Sequence, residues 1–218
     1  MTSFVQEPER PAEAAVIWMH GLGADASDMA GLARELKLPD LAIRHLFMNA
    51  PIRPITLNGG LSMPAWYDIV GIKLTDREDK IGIEDSSQKI QALIDEQILS
   101  GLPAKQIYLA GFSQGGAMAL FTALKQQELG GVIALSAYLP LSAELKPSLK
   151  KDTPFFIASG LFDPIVIPAW TKLSSDWLRM TGFSQLSLHS YPIEHTVNQE
   201  ELLDLSAWLK QHIARRPQ

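Results

Sequence analysis

The sequence predicts an α/β fold: a mainly parallel central sheet with helices on both faces, one domain over residues 14–218 behind an N-terminal arm of residues 1–13. Three observations carry this. Short unbroken apolar runs such as Ala14–Met19 read as strands buried on both faces. Such runs alternate with longer segments of helical pattern, and that alternation builds parallel sheets. A chain of 218 residues, 46% hydrophobic and 20% charged, is large enough to bury one substantial core without staples.

Taken in order, residues 1–13 are polar and proline-rich and are expected to be loose. Ala14–Met19 is the first strand and ends in His20-Gly21-Leu22-Gly23. A helix follows from an N-cap at Ser27 or Asp28, through Met29 to Leu36, and stops before Pro39. Ile43–Met48 is the next strand, closed by Asn49-Ala50-Pro51. Residues 51–83 then read as a long irregular stretch broken by prolines and glycines, and a loop of that length is usually functional or mobile. Its middle, residues 66–74, is apolar and runs straight into the charged segment 75–80.

The next helix spans residues 83–99, with Ile90, Leu93, Ile94 and Ile98 at helical spacing and Gly101 just past its end. Residues 106–110 form a strand and 117–124 an apolar helix. Strands at 131–136, 155–159 and 186–191 follow, with helices at 170–180 and 199–213 and a connector at 137–153.

The sharpest signal lies between the 106–110 strand and the 117–124 helix, in Gly111-Phe112-Ser113-Gln114-Gly115-Gly116. This is G-x-S-x-G on a strand-to-helix turn, the nucleophile elbow. The serine is held in a strained backbone conformation, and the glycines two places to either side make room where backbone comes close. Its oxygen projects near a helix N-terminus, whose free N–H groups stabilise developing negative charge.

In an open α/β sheet the working groups lie on loops beyond the carboxyl ends of the strands. That rule selects a base from five histidines. His45 and His189 fall inside strands, His212 near the end of the last helix, and His20 ends the first strand. His195, between the last strand and the last helix, is left. The orienting acid should follow a strand between those two, and Asp163 does; Asp152 precedes its strand and Asp176 lies mid-helix. Ser113, Asp163 and His195 also stand in the chain order that an elbow serine, its acid and its base adopt.

His20-Gly21-Leu22-Gly23 admits two readings. With Ala26 it satisfies G-x-G-x-x-A, the dinucleotide fingerprint, but the following strand ends in Asn49-Ala50-Pro51 without the carboxylate that would hold a ribose. The favoured reading uses the same glycines to bring the backbone N–H of Leu22 opposite that of Gln114 as a two-donor oxyanion hole. Dinucleotide binding, or a catalytically idle binding protein on the same scaffold, are the rival functions.

The totals exclude other classes. A net charge of −5 with scattered Lys and Arg argues against nucleic-acid binding. There is no cysteine, hence no disulfide and no thiolate site. Neither a P-loop nor H-E-x-x-H spacing occurs, so neither a P-loop nucleotide site nor a metal is expected. No signal peptide or membrane-spanning run is legible, which makes a cytoplasmic protein without integral membrane association the expectation.

These residues together resemble the acyl-protein thioesterase / carboxylesterase (phospholipase/carboxylesterase) family of α/β-hydrolases, over nearly the whole chain after the arm. The marks are His20-Gly21-Leu22-Gly23, Met63-Pro64-Ala65-Trp66-Tyr67-Asp68, the elbow, Asp163-Pro164, and His195 followed by Thr196-Val197-Asn198-Gln199-Glu200-Glu201. The resemblance implies the α/β-hydrolase fold, a Ser-His-Asp triad and no cofactor. It also implies hydrolysis of esters or thioesters of medium-to-long acyl groups or small aryl groups, borne by small molecules, acylated proteins or lysophospholipids, by a monomer or homodimer. Two departures stand out: Ser159-Gly160 replaces His-Gly before the acid loop, and the Asp163-to-Pro168 turn is one residue longer than the family pattern.

On this reading Leu22, Trp66, Ile69, Val70, Ile72, Leu74, Phe112, Leu161, Phe162 and Ile165 are candidates to line the acyl groove, with plain core packing as the alternative for each. The apolar loop 69–74 has three open readings: a substrate lid, a membrane-surface contact or a dimer interface.

Overall fold

The structure is a computed structural model that describes residues 3–71 and 77–214. Nine strands and five long helices follow one another. They are β1 (Ser3–Gln6), β2 (Ala14–Met19), α1 (Ala26–Glu35), β3 (Ile43–Met48), β4 (Ile52–Ile55), β5 (Leu61–Pro64), α2 (Lys80–Leu99) and β6 (Ile107–Phe112). Then come α3 (Gln114–Leu124), β7 (Gly131–Leu135), β8 (Phe155–Gly160), α4 (Pro168–Met180), β9 (Leu186–Tyr191) and α5 (Gln199–Ala214).

Seven strands form one sheet in the order β1-β3-β2-β6-β7-β8-β9, parallel throughout except for the antiparallel edge pair β1–β3. The unbroken apolar runs are explained by burial on both faces. Ala15, Ile17 and Met19 of β2 point into a core shared with α2, α3 and α4, while Ala14, Val16 and Trp18 point into one shared with α1 and α5. Register sets the level of the loops: Met19 pairs with Gly111 and Phe112 with Leu135, so the chain leaves β2, β6 and β7 at one rim. The strand order reverses at β2, which carries β3 on one side and β6 on the other; the crevice between β2 and β6 is where ligands bind in such sheets.

Two expectations are corrected. The arm is not loose throughout, because Ser3–Gln6 pairs with β3 and Phe4 packs on Phe47 with ring centroids 4.9 Å apart. Four β-compatible residues sufficed to close the sheet edge. The stretch 51–83 is not irregular throughout either. It carries the antiparallel β4–β5 hairpin, whose Pro54 and Pro64 are tolerated because a two-stranded ribbon leaves edge positions that need no donor. Helix boundaries also move outward. The side chain of Asp25 caps α1 by accepting from the Ser27 N–H at 2.7 Å, and that of Asp79 caps α2 by accepting from the Gly82 N–H at 2.9 Å. Among the described residues no helix is long and apolar enough to cross a membrane.

His45 shows how the core constrains a titratable group. It is buried in β3, and its Nδ1 accepts the Trp18 indole N–H at 3.0 Å, which requires the neutral ring. Burial lowers its pKa from 6.5 to about 4. Between those values the unfolded chain binds the proton and the folded one does not. Its contribution is therefore complete above pH 6.5 and is lost as the pH falls toward 4. We expect a loss of about 3 kcal/mol across that window. It is read as the pH slope of the difference in denaturant stability between wild type and His45→Leu.

Candidate active site

β6 ends by turning into α3 at Ser113, which has φ 54° and ψ −120° and serves as the helix N-cap. This is a conformation that side-chain-bearing residues rarely adopt, and such strain gathers at functional sites. The flanking glycines have a steric cause. A Cβ on Gly111 would lie 2.3 Å from the carbonyl of Gly115, and one on Gly115 would lie 2.1 Å from the Met19 oxygen. The elbow can close against β2 only if both lack side chains. The Ser113 N–H is held by the Leu135 oxygen at 2.8 Å.

Three side chains from distant parts of the chain meet here. The Ser113 Oγ lies 2.9 Å from His195 Nε2, and His195 Nδ1 lies 2.6 Å from Asp163 Oδ2. The network assigns the tautomer: Nδ1–H donates to the carboxylate, which leaves Nε2 free to accept the serine proton. The other carboxylate oxygen of Asp163 accepts the N–H groups of Ile165 and Val166 at 2.8 and 2.9 Å, and the side chain is fully buried. The long turn after Asp163 thus wraps backbone donors around the acid. The acid and histidine loops are laced together by Leu161 N–H to Tyr191 O at 2.8 Å and Phe162 N–H to Ile193 O at 3.0 Å. The Phe112 ring packs 4.7 Å from the imidazole.

The His20–Gly23 loop is pressed against the elbow: a Cβ on Gly21 would lie 3.5 Å from that of Ser113. Among the described residues the backbone N–H groups of Leu22 and Gln114 donate to no protein acceptor, and both residues border the cavity that holds Ser113. His20 is a strut. It is fully buried, one ring nitrogen meets the Gly21 oxygen at 2.6 Å, and Nε2 accepts the Ala50 N–H at 3.0 Å. Burial lowers its pKa, so the ring stays neutral.

The side chain of Gln114 has a role that the motif alone did not reveal. Its Oε1 accepts the Trp66 N–H and its Nε2–H donates to the Tyr67 carbonyl, both at 2.8 Å. The Trp66 indole donates to the His20 oxygen at 2.8 Å, and Ser86 of α2 donates to the Trp66 carbonyl. The elbow, the His20 loop and the 66–67 segment are therefore one hydrogen-bonded unit. Gln114→Ala strands a buried donor and a buried acceptor, and we expect it to cost about 3 kcal/mol of stability in urea unfolding. Gln114→Glu keeps an acceptor for Trp66 but sets a second oxygen against the Tyr67 carbonyl in a buried place, so it should recover none of that.

A cavity of about 230 Å³ opens beside Ser113. Of the sequence-predicted groove residues it takes Leu22, Ile69, Phe112 and Ile165. It does not take Trp66, which is fully buried as a strut, nor the half-buried Val70. Leu161 and Phe162 are also outside it, because the loop lacing turns them to solvent, 50% and 65% exposed. Ile72 and Leu74 lie outside the described residues. Tyr67, Tyr138 and Val166 line it and were not foreseen. Tyr138 follows β7 at the carboxyl rim, and the rule that chose His195 would have found it. Glu201, in the first turn of α5, lies outside that cavity; its N–H donates to Asn198 Oδ1 at 2.9 Å, and burial raises its carboxyl pKa to about 8.

The N-terminus of α1, where a dinucleotide pyrophosphate would sit, is filled. Asn49 Oδ1 accepts the Ala26 N–H at 2.8 Å, and Asp25 and Asp28 put carboxylates there. Anionic side chains in that position repel a phosphate.

The family model described as phospholipase/carboxylesterase matches residues 1–213. An acyl-protein thioesterase 1 from Debaryomyces hansenii is 37% identical over 207 residues, covering 89% of each chain. Among solved structures, Arabidopsis thaliana SOBER1 superposes with a TM-score of 0.86 at 26% identity, covering 92% of this chain and 99% of that one. Zea mays acyl-protein thioesterase 2 superposes with a TM-score of 0.83 at 26% identity, covering 97% and 99%.

Proposed function

The chain belongs to the phospholipase/carboxylesterase family, and from that premise we propose that it is a serine hydrolase cleaving acyl esters or thioesters through Ser113. His195 Nε2 takes the proton of Ser113 as its oxygen attacks the acyl carbonyl. Asp163 holds the imidazole tautomer and stabilises the imidazolium. The N–H groups of Leu22 and Gln114 take the oxyanion, at the N-terminus of α3. His195 then returns the proton to the departing alcohol or thiol, leaving an acyl-serine that water hydrolyses by the reverse sequence.

The observation that carries this reading is the unbroken chain of contacts from Ser113 Oγ through His195 to Asp163, at 2.9 and 2.6 Å. The relatives named as acyl-protein thioesterases support an acyl thioester on a protein as one substrate class. The test combines fluorophosphonate labelling with hydrolysis of p-nitrophenyl esters and acyl thioesters. Stoichiometric labelling at Ser113 is expected, and an unlabelled, inactive wild type removes the proposal. Retention of a bound dinucleotide on purification would favour the rival reading, against which the capped α1 terminus stands.

A further inference from the structure

We propose that the hydroxyl-bridged pair Tyr67–Tyr138 is the stop at the inner end of the acyl cavity, restricting the enzyme to acyl groups of about eight carbons or fewer. The inference rests on the reading of Ser113 as the nucleophile. It asks what ends the space that the acyl group enters.

Burial sets the direction of the cavity. Ile165 at its mouth is 54% exposed, and Leu22 and Ile69 are half-buried, while Tyr67, Tyr138 and Val166 are 2%, 3% and 1% exposed. Both tyrosines belong to the core cluster on the α2–α3 face of the sheet. Their rings pack into that cluster.

The pair is also held firmly. The two hydroxyls lie 3.0 Å apart, one donating to the other. The Tyr67 carbonyl accepts the Gln114 side-chain N–H at 2.8 Å, so its backbone is tied to the elbow itself. The residues on either side of Tyr138 are tied to α4: the Ala137 carbonyl accepts the Thr171 hydroxyl and the Leu139 N–H donates to Ser174 Oγ, each at 2.8 Å. Burial raises both phenol pKa values, so the wall stays uncharged. A chain that pushed the rings apart would break that buried hydrogen bond, an unfavourable step that makes the stop stiff. A cavity of about 230 Å³, at roughly 30 Å³ for each water-sized group, holds about eight carbon-sized groups.

The experiment measures kcat/KM for p-nitrophenyl esters from acetate to dodecanoate. In the wild type, kcat/KM is expected to rise about fourfold per methylene while the chain is being buried. It should break near the octanoate and fall at least tenfold by the dodecanoate. Tyr138→Ala is expected to raise the dodecanoate-to-butyrate ratio at least tenfold, a readout that a general loss of activity does not move. Tyr67→Leu, which keeps an apolar side chain in the core, is read in the same way should Tyr138→Ala not fold. A wild-type profile that climbs through the dodecanoate without a break overturns the stop, as does a ratio within threefold of wild type in a folded variant. Either result leaves Ser113 labelled and active. Failure to hydrolyse any ester, with Ser113 unlabelled, overturns instead the hydrolase reading on which the inference stands.

Discussion

Ser113→Ala is expected to lower kcat for acyl ester hydrolysis by about a million-fold, with the fold retained and KM changed by less than about threefold. The size follows from what the hydroxyl does. Among the described residues no other serine, threonine or lysine borders the cavity, so without the Ser113 oxygen His195 can only activate water. The residual rate then comes from the oxyanion donors and substrate binding, about 10³–10⁴ over the uncatalysed reaction. The fold should tolerate the change because, among the described residues, the Ser113 side chain bonds only to His195, and alanine meets the positive φ no worse than serine does. Ser113→Gly offers a second reading of the same strain. Glycine reaches φ 54° freely, so this variant should be equally inactive and somewhat more stable to urea. An alanine variant within tenfold of wild-type kcat would mean that the nucleophile lies elsewhere.

How much of this was legible depends on the distance over which the determining physics acts. Five of the six parallel strands were readable because burial on both faces writes itself into contiguous residues, as in Ala14–Met19 and Gly131–Leu135; β9, at the sheet edge, is only partly buried. The meeting of Ser113, Asp163 and His195 was readable because parallel strands all end at one rim, and the sequence shows which polar residues follow a strand. β1 was not, because its four residues gain their strand state only from pairing with β3. The β4–β5 hairpin was hidden for a related reason: prolines that usually break strands are harmless on a ribbon edge. The groove was least legible. Leu161 and Phe162 are as apolar as Ile165, yet two backbone hydrogen bonds to the histidine loop turn them outward. Only the assembled fold decides which apolar residue beside a site faces into it.

The largest effect from a nearly isosteric change is expected at Asp163, and the geometry there fixes its sign. In Asp163→Asn the new amide must choose an orientation. The Ile165 and Val166 N–H groups both point at Oδ1, so that site requires an oxygen. The amide NH2 is thereby driven into the Oδ2 position, 2.6 Å from His195 Nδ1. It donates there, so Nδ1 must accept and the imidazole proton moves to Nε2. His195 then donates to Ser113 when catalysis needs it to accept. We expect kcat to fall about 10⁴-fold with little change in stability, since both backbone donors keep their acceptor. Asp163→Ala should show the reverse balance. It frees the imidazole to take either tautomer, so kcat should fall no further than in the asparagine variant. It strands one buried and one part-buried N–H group, so stability should drop by about 2–3 kcal/mol. The crossed pattern separates the two roles of the carboxylate, as tautomer lock for the base and as acceptor for its own turn. Measuring kcat and urea stability on both variants reads it directly. An asparagine variant more active than the alanine one would show that Asp163 does not set the state of His195.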